Sequence, residues 1–436
     1  MQPIKCKVQK LCGGCLGPGV VPAKLAKQKR DEVQAIMDGF QLHVKVGDVH
    51  LAENNLGYRN KVIVGFAKDK DKKIYSGLYA PHSHRVVNSS GCPMHPPLVN
   101  EIIDFITDMV GSMKFELYNP RTGTGLLRHV LIRYAKTTGQ VMVVFVTSSK
   151  QFPSRRNIVH ALTEKFPQIT TIIQNVNARD TSVVLENDCI VLYGKGYITD
   201  ELLGMKISFA PESFYQIHSE QCAELYKLGR QMLDLKPTDT VLDTYCGVGT
   251  IGLYMADAVK QVTGVELNKE AVKNAIFNAK QNHIRNIRFV AMDSTRFMFE
   301  ALKHHQNYNA IILDPPRAGT TPSFIQNACA LHPDKILYIS CDPKTQARDL
   351  NIFRRYGYVT QNIELVDMFP QTAHIESLCV LTYSPKTKNG QKVKADTAHT
   401  PRDNRKPYNR KGTHTSGKPH AKRPPMKGHR TSGRSR

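Results

Sequence analysis

Ser340-Cys341-Asp342-Pro343 places a thiol directly after the apolar run 335–339. A cysteine at the carboxyl end of a buried strand, followed by a helix-compatible stretch at 344–354, is placed to act as a nucleophile, because a helix amino terminus favours the thiolate. Asp314-Pro315-Pro316-Arg317 follows another apolar run, residues 243–249 form a glycine-rich turn, and Glu376 lies in His374-Ile375-Glu376-Ser377. These types suit covalent attack on a pyrimidine. Carbon 5 of uracil is a poor nucleophile until a thiolate adds to carbon 6, and a general base must then remove the carbon 5 proton. The reading assigns Cys341 as nucleophile, Glu376 as base and Asp314 as the group that holds uracil N3–H or touches the cofactor. Cys246, in the glycine turn, is the competing thiol. Cys189, Cys222, Cys329 and Cys379 sit in apolar contexts and read as structural.

After 241–243 the chain turns through Gly247 and Gly249 into a helical stretch. Glycines let backbone approach a ligand, and this turn falls at a strand's carboxyl end, where open α/β sheets bind ligands. The next strand ends in Gly264-Val265-Glu266, an acid some 20 residues on and suited to a ribose diol. Asp293 closes the third strand, within reach of an adenine amino group. An adenosine cofactor follows, and the spacing Gly247-x-Gly249-x-x-Gly252 keeps a dinucleotide as a rival to S-adenosylmethionine. Asp314-Pro315-Pro316 and Cys341 have no task in hydride transfer, so the methyl donor is preferred. Arg317 in place of an aromatic argues against methylation of an exocyclic amine.

Short apolar runs at 240–243, 261–266, 287–293, 310–314 and 335–339, each followed by a helix-compatible stretch, predict a doubly wound α/β sheet, with further strands at 358–368 and 376–383. Before about 205 that alternation is missing. Runs at 61–66, 129–134, 141–146, 170–174 and 181–185 predict a separate, largely antiparallel region, with helices near 24–38, 98–113 and 155–165. The expected division is 1–204, 205–384 and 385–436.

The chain has 436 residues and a formal charge of +23, and residues 385–436 carry sixteen of its cations against Asp396 and Asp403. That stretch is poor in large apolar side chains and predicts a disordered basic tail that attracts phosphates. No uninterrupted apolar stretch reaches about 18 residues, which predicts no membrane span. A cytoplasmic monomer is expected, and ten cysteines in such a chain suit metal binding or chemistry more than a disulfide framework.

Together the motifs resemble the RNA uracil-5 methyltransferases, in particular their iron-sulfur ribosomal RNA branch. The resemblance spans about residues 1–384 and rests on Ser213-Phe214-Tyr215-Gln216, 243–249, Gly264-Val265-Glu266, Leu313-Asp-Pro-Pro-Arg-Ala-Gly319, Ser340-Cys341-Asp342-Pro343 and His374-Ile375-Glu376-Ser377. It implies a Rossmann-like class I methyltransferase domain, a cofactor site of Gln216, Tyr245, Glu266, Asp293 and Asp314, and the roles already given to Cys341 and Glu376. Cys6, Cys12, Cys15 and Cys92 look like the branch's [4Fe-4S] ligands, although four thiolates alone also suit zinc. The branch implies a uridine of 23S ribosomal RNA as substrate, with transfer RNA as the alternative. Many relatives carry a small β-barrel RNA-binding module ahead of the cysteines, and the basic tail is expected to supply affinity in its place. The rival from another class is a non-catalytic RNA-binding or ribosome-assembly protein on the same scaffold.

Overall fold

The computed structural model describes residues 6–16, 20–179 and 183–384. Helix α1 (Gln9–Cys12) and the longer α2 (Pro22–Gly39) precede strand β1 (Lys45–His50). Strands β2 (Lys61–Lys68), β3 (Ile74–Tyr79) and β4 (Val86–Asn88), helix α3 (Pro97–Ser112), strands β5 (Leu127–Tyr134) and β6 (Val141–Thr147), helix α4 (Arg155–Lys165), and strands β7 (Ile169–Val176) and β8 (Cys189–Gly194) follow. Their seven strands form one sheet in the order β4-β3-β2-β5-β6-β7-β8. It is antiparallel except for the β6–β7 pair, which α4 connects.

A hairpin of β9 (Ile198–Leu202) and β10 (Met205–Phe209) leads into α5 (Ser219–Leu233). Strands then alternate with helices: β11 (Thr240–Thr244), α6 (Thr250–Met255), β12 (Gln261–Glu266), α7 (Lys269–Gln281), β13 (Ile287–Ala291), α8 (Ser294–Lys303), β14 (Ala310–Leu313), α9 (Pro322–Ala330), β15 (Lys335–Ser340), α10 (Pro343–Arg355), β16 (Tyr358–Val359), β17 (Asn362–Val366) and β18 (Glu376–Tyr383). The resulting nine-stranded sheet runs β1-β17-β18-β15-β14-β11-β12-β13, with β16 paired to β18. Strands β11 to β15 are mutually parallel, and β18 runs antiparallel to both β15 and β17. The order reverses at β11, which opens a crevice at the strands' carboxyl ends.

The unbroken apolar runs are explained by burial on both faces. In β15, Leu337 and Ile339 enter one core cluster while Ile336 and Tyr338 enter the other, as expected for a central strand covered on both sides. In β6 all seven residues are buried, with Met142 and Val144 on one side and Val143 and Phe145 on the other.

The alternating sheet, Rossmann-like in its parallel half, agrees with the sequence expectation, and so do the helices over 22–39, 97–112 and 155–165. Other features differ. The single run expected at 358–368 is two strands, β16 and β17. The strand expected at 181–185 falls partly outside the described residues, and Val183 to Leu185 are not strand; β8 supplies that edge.

The N-terminal region is not independent of the large sheet. Strand β1 pairs in parallel with β17, and Leu131, Met142, Val144 and Ile173 share one buried cluster with Val241, Val262, Ile312 and Leu337. Lys29 of α2 is tied to Asp367 by a buried 2.7 Å ion pair. The separate N-terminal domain expected from sequence is therefore joined to the catalytic sheet through β1, α2 and this core. The expected basic tail, 385–436, lies outside the described residues. Among those residues, no helix is long and apolar enough to cross a membrane.

Candidate active site

Register across the sheet decides which side chains meet. Ser340 pairs with Ser377 across the antiparallel β15–β18 ladder, so Cys341 and Glu376, one step beyond on each strand, emerge together. Leu313 pairs with Tyr338 on the other side, which brings Asp314 to the same edge. Ser377 Oγ lies 3.1 Å from Ser340 O and 2.8 Å from Gln346 Oε1, locking the two strand ends together. Asp342 caps α10 by accepting from Lys344 N and Thr345 N, and Pro343 occupies the first helical turn, where its missing N–H costs nothing. The local sequence thus turns the chain sharply at Cys341 and leaves its half-buried thiol at the helix start.

The electrostatics of this cluster are those of two acids and a thiol crowded into low dielectric. Glu376 is 3% exposed, and its Oε2 has no hydrogen-bond partner among the described residues. Burial, with the Asp314 charge adding to it, holds its carboxyl well above the usual range, while Arg317 opposes the rise. Burial pushes Asp314 up to about 7. Cys341 rises to about 11 through desolvation and the Glu376 and Asp314 charges, and Arg317 again acts in the opposite sense. Arg317 is therefore the cation that favours ionisation of both Cys341 and Glu376, a role the sequence reading did not give it. Arg317→Met removes that cation, so both groups need higher pH to ionise. Adduct formation by Cys341 is expected to slow about tenfold at neutral pH, with a deficit that shrinks as pH rises and partial recovery in Arg317→Lys. Stopped-time adduct assays across pH check this.

The strand-end residues expected to hold the cofactor, Tyr245, Glu266 and Asp293, lie along the same edge. Tyr245, directly after β11, has the left-handed conformation at φ 60 and stacks on Phe324 at 5.4 Å. Gly247 has φ 55, and a Cβ placed there would meet nothing within 4 Å, so the turn borders open space. Gly252 instead packs against the buried Asp243 carboxylate, which accepts from its N–H at 2.9 Å. Glu266 accepts from Gly247 N at 3.2 Å and from Asn268 N at 2.8 Å. A carboxylate has about four lone-pair sites, which leaves acceptor capacity for a diol. Asp293 is the exposed N-cap of α8, accepting from Arg296 N, and its charge is felt at Tyr245. Gln216 is buried in the loop between β10 and α5, and its carbonyl accepts from Asn60 Nδ2 at 2.7 Å. These positions fit an adenosine ligand lying across the turn.

Cys246 belongs to the structure of that turn. It is buried, raised well above an ordinary thiol by desolvation, and packed towards Gly264. Cys222, Cys329 and Cys379 are buried, and Cys189 is half-buried beside Glu212. Two exposed apolar side chains escaped the sequence reading: Phe214, 67% exposed two residues before Gln216, and Leu267, 71% exposed directly after Glu266. Their exposure is a property of the fold and leaves no trace in composition.

Cys6, Cys12, Cys15 and Cys92 line one cavity of about 460 Å³ together with Arg59 and Met94. Among the described residues no three His, Cys, Asp or Glu side chains converge tightly enough to hold a single metal ion. The cavity is strapped to the cofactor segment and to the loop before Glu376. Arg59 N donates to Met94 O, Asn60 N donates to Ile217 O, and Leu16 N donates to Gln371 O.

The sheet order and the carboxyl-edge site define a Rossmann-like methyltransferase. The profile of the tRNA (uracil-5-)-methyltransferase family matches residues 23–384, and the chain belongs to that family of S-adenosylmethionine-dependent RNA uracil-5 methyltransferases. It is 35% identical over 379 residues to an RNA methyltransferase of Clostridium tetani, covering 87% of this chain and 82% of that protein. An RNA methyltransferase of Lactobacillus johnsonii is 36% identical over 359 residues, covering 82% and 79%. Among solved structures, the Pyrococcus abyssi tRNA (uracil-54, C5)-methyltransferase in complex with S-adenosyl-L-homocysteine superposes with a TM-score of 0.70 and 26% identity, covering 83% of this chain and 84% of that one.

Proposed function

We propose that this enzyme methylates carbon 5 of a uridine in 23S ribosomal RNA through a covalent adduct of Cys341. The observation that carries the reading is the strand register that sets Cys341 beside Glu376, with Asp314 across β15. S-adenosylmethionine, held by Gln216, Tyr245, Glu266, Asp293 and Asp314, supplies an electrophilic methyl group. The Cys341 thiolate bonds to carbon 6 of the uracil, and the displaced pair makes carbon 5 nucleophilic. Carbon 5 bonds to the methyl group as the methyl–sulfonium bond breaks and S-adenosylhomocysteine leaves; Glu376 then takes the carbon 5 proton, the C5=C6 bond reforms, and the S–C6 bond breaks to return the thiolate. A carboxylate lifted in pKa by burial is the stronger base once ionised, and a sulfonium cation entering the site favours that ionised form.

The four-cysteine cavity supports the ribosomal assignment. Four thiols around a roomy cavity suit a [4Fe-4S] cluster, in a structural role. Residues 1–204 then serve cluster binding and RNA recognition, and the basic stretch 385–436 adds phosphate attraction to a cytoplasmic, monomeric enzyme.

The test offers labelled S-adenosylmethionine with 23S ribosomal RNA or with unmodified transfer RNA, followed by digestion to nucleosides. Label in 5-methyluridine from the ribosomal RNA is expected. Label arising only from transfer RNA would redirect the substrate, and no 5-methyluridine from either would overturn the reading.

A further inference from the structure

The loop that carries Gln216 is shaped by residues far away in sequence. Arg133, on β5, is 1% exposed, and its Nη1 donates to Ala210 O at 2.8 Å and Ser213 O at 2.7 Å, with Pro211 O at 3.4 Å. Its guanidinium lies 4.7 Å from the Phe209 ring centre, and Phe209 in turn stacks on Tyr215 at 4.4 Å. No ion pair joins Arg133 to a carboxylate among the described residues, and its Nη2 has no hydrogen-bond partner among them. Burying a guanidinium in this way costs several kcal/mol, and every bond that offsets the cost goes to one loop. Burial lowers the group to about 10, so it remains charged at neutral pH.

Asn60 grips the loop from the adjacent strand. Lys61 pairs with Arg133 across β2 and β5, so Asn60 lies at the same corner of the sheet. It is 5% exposed; its Nδ2 donates to Gln216 O at 2.7 Å and to Ser219 Oγ at 3.2 Å, and its N–H donates to Ile217 O at 3.0 Å. Its own carbonyl accepts from Tyr134 N. The chain between Phe209 and Ser219 therefore has its near half fixed by Arg133 and its far half by Asn60. Between them Phe214 points out and Gln216 is buried.

We propose that Asn60 and Arg133 are positioning residues for the cofactor: they hold the 210–219 segment so that Gln216 faces the methyl donor, making the seven-stranded sheet a part of the cofactor site. This rests on the reading of Gln216 as a cofactor residue. The chemistry is plain. The carbonyls of Ala210, Ser213, Gln216 and Ile217, in a loop without regular structure, need donors once buried, and Arg133 and Asn60 supply them from a sheet that carries none of the reacting groups. Removing one donor strands a buried carbonyl and frees the loop, so the loss falls on the ligand that needs the loop ordered.

The test uses the full chain and S-adenosylhomocysteine as the probe. Asn60→Ala is expected to weaken S-adenosylhomocysteine about tenfold by calorimetry and to raise KM for S-adenosylmethionine by a similar factor. Change in kcat should be smaller, RNA affinity by filter binding should hold within about twofold, and Asn60→Ser should recover part of the loss. Arg133→Met, which removes the buried charge instead of stranding it, is expected to act in the same direction. If Arg133→Met does not fold, the Asn60 pair decides alone. Unchanged S-adenosylhomocysteine affinity in folded Asn60→Ala overturns the proposal, as does RNA affinity falling as far as that for S-adenosylhomocysteine. Wild-type protein that bound no S-adenosylhomocysteine would overturn the cofactor reading itself.

Discussion

Cys341→Ala is expected to lower methyl incorporation by at least about 10⁴-fold while leaving RNA and S-adenosylhomocysteine binding near wild type. With 5-fluorouridine RNA and S-adenosylmethionine, the wild-type enzyme should form an adduct that survives denaturing electrophoresis, because fluorine at carbon 5 cannot leave as a proton. Cys341→Ala should form none. The side chain is half-buried at the start of α10, and the one side-chain partner that shifts it is Arg317, a flexible cation that can turn elsewhere, so loss of fold does not explain loss of the adduct. Cys246→Ala is the control. Its thiol fills space near Gly264 within the turn, so the variant should lose some cofactor affinity and keep the adduct. An adduct persisting in Cys341→Ala would move the nucleophile elsewhere.

The thiol's position also explains why its resting pKa lies high. Two carboxyls share its surroundings, and with Asp314 near 7 the pair is partly charged at neutral pH. Only Arg317 acts against them among the causes that shift Cys341. The resting site therefore holds its thiol protonated, and ionisation gains from whatever adds positive charge or removes the acids' charge. A sulfonium cofactor does the first.

How much of this was legible in the sequence follows from where each signal lives. Strands β14 and β15 were readable because burial on both faces writes a nearly unbroken apolar run, and β11 and β12 because a short apolar stretch leads straight into a turn or an acid. Asp342-Pro343 was readable as a helix start because capping is local. Asp314 and Cys341 were visible for a similar reason, since each follows its own apolar run, whereas Glu376 opens β18. Strand β1 was not. Its residues Lys45 to His50 include Gly47 and Asp48, and pairing with β17 comes from contacts some 300 residues apart in the chain. Arg133 and Asn60 were equally silent, because a charged or amide side chain in a strand context carries no local sign of the loop it will hold. Arg317 was visible in the Asp-Pro-Pro-Arg motif, but its influence on Cys341 and Glu376 needed the fold.

Glu376→Gln separates the last chemical step from those before it. The amide keeps the shape of the carboxyl but cannot take a proton, so addition of Cys341 and methyl transfer should proceed while elimination stalls. Turnover is expected to fall about 10²–10⁴-fold, and a methylated RNA–protein adduct should accumulate on ordinary, unfluorinated RNA. Labelled methyl in the protein-linked band is the measurement. Normal turnover would remove Glu376 from the base role, and absence of any adduct would place it before the addition step. Stability gives an independent reading of the same carboxyl. Because its folded-state pKa is raised, the folded protein holds this proton more tightly than the unfolded chain, so stability falls as pH climbs from the ordinary glutamate range towards the elevated value. Glutamine removes that dependence. Glu376→Gln should therefore match or exceed wild type in thermal midpoint at pH 8 while losing turnover, the pattern of a side chain kept buried and unpaired for its chemistry and against the stability of the fold.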